Sequence, residues 1–164
     1  MPATRSQMVI DAVVARLQAV QVANGYNTDS GLHVNTAEAL DADTEVPGFV
    51  VTSEVEDYAP ASGDGAVDGS GASYRVTQTI VIASASTPTG IRGEALELQL
   101  GDAKRALCLA GPMPLLDSDG AQLGKLAIVR TVKLPRASGE AYDGFEMTIS
   151  CWHIEAWGDP YSLR

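Results

Sequence analysis

Two histidines and two cysteines are the side chains of this sequence best suited to nucleophilic catalysis or metal binding. A Ser-His-Asp or Cys-His catalytic pair would need His33 or His153, the two histidines present. Cys151 and His153 stand two residues apart, so they would share one face of a strand. We predict that Cys108 and Cys151 fill the core and that His153 lies near a strand end. The alternative is a nucleophilic thiol, or a zinc site made with Cys108.

Three further motifs resemble binding loops but lack residues that binding requires. Residues 117–120 begin like a calcium loop, yet no glutamate follows to close it. Residues 63–65 and 69–71 are rich in glycine, but they lie between predicted strands and carry an acid or a serine, not the lysine that a phosphate-binding loop needs. We therefore predict a non-enzymatic protein with no catalytic residue, no metal site and no cofactor.

The composition is that of a soluble globular protein. Of the 164 residues, 45% are apolar and 20% are charged, which is close to the average for globular domains. The longest apolar runs are far shorter than the roughly 20 residues that span a bilayer. The first residues lack the pattern of an export signal. We expect a single domain over residues 1–164, no contact with membranes, and a cytoplasmic site of synthesis.

Negative charge is concentrated in one segment of the chain. The net charge is -10, and residues 26–72 contain ten acids but no lysine or arginine. The rest of the chain holds eleven acids and eleven bases. Because an acidic segment repels phosphate backbones, we expect no sequence-specific binding of nucleic acid. The segment is either a solvated face or a surface that DNA could pass without sticking.

Hydrophobic periodicity predicts a helix followed by three strands in the first half of the chain. Thr4 and Gln7 match a capping box, and apolar residues recur at helical spacing to about residue 24, where an Asn-Gly pair can end the helix. A short strand follows at 33–35. Two longer strands form a hairpin around a loop at 59–72, which we expect to be mobile because glycine and aspartate dominate it.

The second half predicts a helix and two more strands. Leu96 to Leu107 have helical spacing, and the helix should stop at Gly111-Pro112. Alternating residues then predict strands at 126–134 and from 145 towards 157. We therefore predict an α+β fold, in the order α-β-β-β-α-β-β, whose mostly antiparallel β-sheet has both α-helices packed on one face.

One group of short motifs resembles the tail terminator proteins of long-tailed bacteriophages, a class of minor tail or tail completion proteins. It comprises the opening amphipathic helix, the segment Gly-Tyr-Asn-Thr-Asp-Ser-Gly at 25–31, the short strand, and the segment Glu-Val-Pro-Gly-Phe-Val-Val at 45–51. The order of elements is similar over most of the chain. The long glycine-rich insertion at 59–72 departs from the pattern.

The resemblance implies a subunit of a ring, commonly a hexamer, that caps the tail tube, stops its polymerisation and offers the surface for head-tail joining. Its partners would be further copies of itself, the tail tube protein and the head-tail connector protein, in the tail of a virion assembled in the host cytoplasm. The candidate contact residues lie in two loops: Asp64, Val67, Asp68, Arg136, Glu140 and Tyr142. The candidate acidic residues facing a DNA channel are Glu38, Asp41, Asp43, Glu54 and Glu56.

Two other functions remain open from sequence alone. A head-tail connector or neck protein would also close into a ring, but it would contact the other side of the junction. A small ligand-binding or enzymatic α+β domain would instead use a pocket near Cys151 and His153.

Overall fold

A single six-stranded sheet with two helices forms the described part of the molecule. The computed structural model describes residues 3–36, 47–60, 73–86, 93–108, 113–116, 120, 122–134, 142–156 and 160–161. The helices are α1 (Arg5–Gln18) and α2 (Glu94–Leu107). The strands are β1 (Val34–Asn35), β2 (Gly48–Pro60), β3 (Ser73–Ser86), β4 (Met113–Leu116), β5 (Gln122–Leu134) and β6 (Asp143–Ala156). Neither helix is long and apolar enough to cross a bilayer among these residues.

The strands lie in the order β1-β2-β3-β6-β5-β4. The central strands β3 and β6 pair antiparallel along their whole lengths, from Ser73 opposite Ala156 to Ser86 opposite Asp143. Every other pair is antiparallel except β1 with β2. The predicted α+β fold is thus confirmed, with the addition of β4, a four-residue strand too short to show a period.

Both helices cover the same face of the sheet. α1 buries Val9, Val13 and Leu17 there, while α2 buries Leu96 and Leu100. The strands contribute alternate residues to this core, because successive side chains of a strand point to opposite faces. The buried strand residues of the core are Phe49, Val51, Ile80, Ile82, Leu115, Leu123, Leu126, Phe145, Met147, Ile149 and Cys151.

Two β-bulges interrupt the alternation that the sequence suggested. The register of β2 against β3 shifts between Ser53 and Val55, and that of β5 against β6 shifts between Ile128 and Arg130. A bulge inserts one extra residue, so every later side chain moves to the other face. The row of side chains that begins with Phe49 and Val51 on the helix side therefore ends at Ser53, and Val55 lies on the face without helices.

Helix α1 is shorter than predicted. It begins after Thr4, whose hydroxyl accepts a hydrogen bond from the Gln7 amide at 3.2 Å, but it ends at Gln18 and a 3-10 turn follows at Val22–Asn24. Gly25 then adopts a left-handed conformation with φ of 82°. Helix α2 likewise ends at Leu107, before the predicted Gly111-Pro112.

Candidate assembly surfaces

The polar loop at 25–31 is fastened to helix α2 by one buried carboxylate. Asp102 is only 1% exposed, and it accepts hydrogen bonds from the backbone amides of Asn27 and Thr28 at 2.9 and 2.8 Å. It also accepts from the side chains of the same two residues, both at 2.9 Å. Hydrogen bonds from several donors offset the free-energy cost of burying a carboxylate. These hydrogen bonds to Asp102 give a structural reason for Asn27 and Thr28 in the motif at 25–31.

The two ends of this loop are fixed by other contacts. The Arg105 guanidinium donates to the Gly25 carbonyl at 2.7 Å and lies 4.7 Å from the centre of the Tyr26 ring. At the other end, a Cβ on Gly31 would stand 2.5 Å from the carbonyl oxygen of Leu17. Only glycine therefore fits against the end of α1. The motif that carries the family resemblance positions the chain between α1 and β1.

The structure places Cys151 and His153 on one face of β6, as predicted, with Cys151 in the core. Burial raises the pKa of the Cys151 thiol to about 12, so the thiol stays protonated at neutral pH. The His153 ring is 2% exposed and its Nε2 lies 2.9 Å from Glu155 Oε1. A thiol that stays protonated lacks the thiolate that cysteine catalysis requires.

Cys108 was wrongly predicted to be a core residue. It follows the last residue of α2 and is exposed. The zinc alternative that joined it to Cys151 has no support, since the described residues contain no group of three or more histidine, cysteine or acidic side chains placed to hold a metal ion.

A second buried polar cluster lies on the same sheet face, next to the start of α1. Arg5, at the start of α1, is 4% exposed and its guanidinium donates to the Ile154 carbonyl. Desolvation by burial lowers the pKa of Arg5, and the nearby Glu155 carboxylate partly opposes that effect. Arg5 Nε, His153 Nδ1 and Gln78 Oε1 are buried without a hydrogen-bond partner among the described residues.

The opposite face of the sheet carries no helix in the described structure. The two bulges bring extra apolar side chains to it: Val55 stands opposite Thr79, and Leu134 opposite Gly144. Trp152 and Ile154 of β6 lie on the same face. These four side chains are 49%, 44%, 36% and 39% exposed. Contiguous apolar groups are typical of surfaces that contact other proteins, and Trp152 and Ile154 are neighbours on this face of β6, whereas Leu134 lies at the other end of the sheet.

Three of the predicted site residues lie in the described structure. Tyr142 precedes β6 and is 51% exposed. Glu54 is exposed in the β2 bulge, whereas Glu56 is half-buried on the helix side and accepts a hydrogen bond from the Tyr58 hydroxyl at 2.6 Å. The remaining predicted residues lie outside the described residues: Glu38, Asp41, Asp43, Asp64, Val67, Asp68, Arg136 and Glu140. The loop predicted to be mobile at 59–72 also lies outside them, except for its first two residues.

An open groove runs between α1 and the edge of the sheet. It measures about 650 Å³, and Leu116 and Leu123 lie opposite the helix. On the helix side the lining residues are Met8, Asp11, Ala12, Ala15 and Arg16 of α1 and Ala19 directly after it. Small alanines leave room between helix and strand that larger side chains would fill. Sequence reasoning missed this groove because nothing in the periodicity of α1 shows which part of its surface the sheet leaves uncovered.

Comparison with known proteins is informative about the fold. No family model and no curated protein sequence matches this chain. Among solved structures, the fold is similar to a chain in a structure described as the virion of a native gene transfer agent particle, with a TM-score of 0.55 and 19% sequence identity. The match covers 92% of this chain and 97% of that chain. The two chains share a fold over nearly their full lengths.

Proposed function

We propose that this protein is a non-enzymatic structural subunit of a phage-type virion that closes into a ring on the end of the tail tube, stops tube growth and joins the tail to the head. The observation that carries the proposal is the fold shared along almost the whole chain with a component of a gene transfer agent virion. The motif at 25–31 and the order of elements support the tail terminator role in particular.

The surface of the molecule supports a role in assembly. A face of the sheet with exposed Val55, Trp152 and Ile154 offers apolar area that another subunit could bury. The acids predicted to face a channel would repel a passing duplex, because like charges keep DNA from lodging on the wall. Such a protein needs a rigid sheet and complementary surfaces, and it needs no catalytic group.

The test is to measure the solution mass by light scattering, first alone and then with purified tail tube protein, and to image tube ends by electron microscopy. A ring, or a 17.1 kDa monomer that caps tubes and halts their growth, supports the proposal. A protein that binds a head-tail connector but ignores tubes would favour the neck role instead. A monomer that binds neither contradicts both assembly roles.

A further inference from the structure

A small pocket of about 230 Å³ lies at the corner of the sheet where α1 begins. Arg5 of α1, Lys125 of β5, and Trp152 and Ile154 of β6 are among its lining residues. Arg5 is buried, and its Nε has no hydrogen-bond partner within the described residues. The described lining of this corner pocket contains two bases and no acid. The pocket therefore favours an anionic group.

The charge around the corner pocket stays positive when its neighbours are included. Glu155 lies near Arg5 and offsets one positive charge. Arg75 adds another, because it is exposed and stands opposite Ile154 on β3. Asp57 belongs to β2, two strands away from β6, which corresponds to about 10 Å. A carboxylate at the pocket thus meets more positive than negative charge.

Trp152 and Ile154 give the corner pocket an apolar rim. They are 36% and 39% exposed. The Lys125 ammonium lies 4.9 Å from the centre of the Trp152 ring, which places this base directly beside the apolar surface. Tryptophan is enriched among the residues that contribute most to the binding free energy of protein contacts. The pocket therefore fits a carboxylate that has apolar side chains next to it.

The loop at 22–32, just after α1, has this complementary chemistry. Asp29 is exposed. Its Oδ1 accepts a hydrogen bond from the Val22 amide at 2.8 Å, and its carbonyl oxygen accepts one from the Leu32 amide at 3.0 Å. The side chains of Val22 and Leu32 are 54% and 60% exposed. One carboxylate thus lies between two exposed aliphatic side chains.

This loop is already ordered within the subunit. Asp102 holds its middle with hydrogen bonds, and Arg105 holds the Gly25 carbonyl. Gly31 packs closely against the end of α1. A contact surface that is ordered in advance loses less conformational entropy on binding than a flexible one. These internal bonds therefore also present Asp29 in a fixed position.

The corner pocket and the loop at 22–32 lie at opposite ends of α1. The helix has 14 residues, so its ends are about 20 Å apart. The pocket and the loop of one subunit are thus too far apart to meet, and a contact between them joins two copies of the chain. Because it uses different surfaces on the two copies, such a contact repeats from subunit to subunit and can close into a ring.

We infer that the loop at 22–32 of one copy binds the corner pocket of the next copy, with the Asp29 carboxylate directed at Arg5 and Lys125 and the aliphatic side chains of the loop against Trp152. The inference rests on the proposed function, for which it names one contact between neighbouring subunits. The net charge of -10 agrees with this choice of partner, because another copy of the chain is itself an acidic protein.

Reversing one charge of the corner pocket tests the contact. Lys125→Glu should weaken self-association at least about tenfold, because the pocket then repels Asp29. Arg130→Glu is the matched control: it makes the same change of charge at an exposed residue of the same strand, outside the pocket, and should leave association unchanged. Adding Asp29→Lys to Lys125→Glu should recover part of the association, since the two charges are again opposite.

Association is measured by light scattering, alone and with tail tubes, and circular dichroism checks that each variant folds. If the wild type forms rings or caps tubes and Lys125→Glu does so equally well, the contact is wrong and the proposed function stands. The contact is also wrong if Lys125→Glu and Arg130→Glu weaken association equally, or if the folded double variant recovers nothing. If the wild type neither associates nor caps tubes, the function and the contact fail together.

Discussion

The two buried polar clusters of the molecule differ in how completely they are hydrogen-bonded. Asp102 is buried with four hydrogen bonds from the loop at 25–31. The cluster around Arg5 and His153 is equally buried, but it leaves Arg5 Nε, His153 Nδ1 and Gln78 Oε1 without partners among the described residues. The cluster around Asp102 is well hydrogen-bonded, whereas the cluster around Arg5 and His153 is only partly hydrogen-bonded.

The difference decides what each cluster contributes to stability. When an acceptor of several hydrogen bonds is removed, each of its donors is left without a partner. Nothing then compensates these donors for the hydration that they lost on folding. Removing an atom that had no partner loses no bond, and an apolar replacement can even stabilise the fold. We therefore expect large effects of substitution at the Asp102 anchor and small effects around Gln78.

The largest effect is expected at Asp102 itself. Asp102→Ala would remove four hydrogen bonds that hold the loop at 25–31 against α2, and it should lower the free energy of unfolding by about 3–5 kcal/mol. Asp102→Asn is the matched control, because its remaining oxygen can still accept, and it should lose roughly half as much. Urea denaturation measures both. A loss below about 1 kcal/mol for the alanine variant would contradict the anchor.

The next largest effect concerns the close approach of the loop to α1. A Cβ at Gly31 would meet three backbone carbonyl oxygens, the nearest at 2.5 Å, so Gly31→Ala should lower the free energy of unfolding by about 2–3 kcal/mol. Gly25→Ala is the control: its φ is 82° but nothing lies within 4 Å, so it should cost about 1 kcal/mol. Equal losses in thermal denaturation would show that the loop can move away.

A smaller effect is expected in the cluster around Arg5 and His153, whose hydrogen bonds are incomplete. Gln78 donates to Ser53 Oγ at 2.9 Å, but its buried oxygen has no partner in the described structure. Gln78→Met keeps the volume and removes both that oxygen and the hydrogen bond to Ser53, whose hydroxyl is on an exposed residue and can bond to water. The two effects oppose each other, so the free energy of unfolding should change by less than about 1 kcal/mol in either direction. A loss above about 2 kcal/mol in urea denaturation would mean that the cluster is as complete as the Asp102 anchor.

The smallest expected effect is a change in the pKa of Tyr58, near the cluster around Arg5 and His153. The hydrogen bond from the Tyr58 hydroxyl to Glu56 raises the pKa of Tyr58 to about 12, from an ordinary value of 10. A raised pKa favours the neutral form, so this stabilisation is present below pH 10 and is lost as the pH rises towards 12. Glu56→Gln should bring the pKa of Tyr58 back towards 10. Tyrosinate absorbance measures the change, and identical titration curves for the two proteins would contradict the bond.

The sequence predicted the elements better than it predicted their faces. The two helices and the long strands follow from hydrophobic periods, because each period matches one backbone geometry. The bulges at Ser53 and Ile128 escaped prediction, since an extra residue in one strand is defined only against the strand that pairs with it. Simple alternation from Phe49 and from Leu126 would therefore place Val55 and Leu134 on the wrong face.

The site predictions were limited for a similar reason. Cys151 was predicted correctly as a core residue because an apolar alternation surrounds it. Cys108 was not, because its exposure depends on where α2 ends. No local pattern could show that Asp102 binds residues about 75 positions earlier in the chain.

The sequence by itself determined the α+β class, the antiparallel hairpins, the concentration of acid in residues 26–72 and the motif at 25–31. These depend on residues close together in the chain, where local geometry and side-chain chemistry decide. Only the tertiary structure decided that β2 and β5 each contain a bulge and that Asp102 of α2 lies against the loop at 25–31. Strand order joins residues distant in sequence, and it depends on packing free energy summed over the whole core.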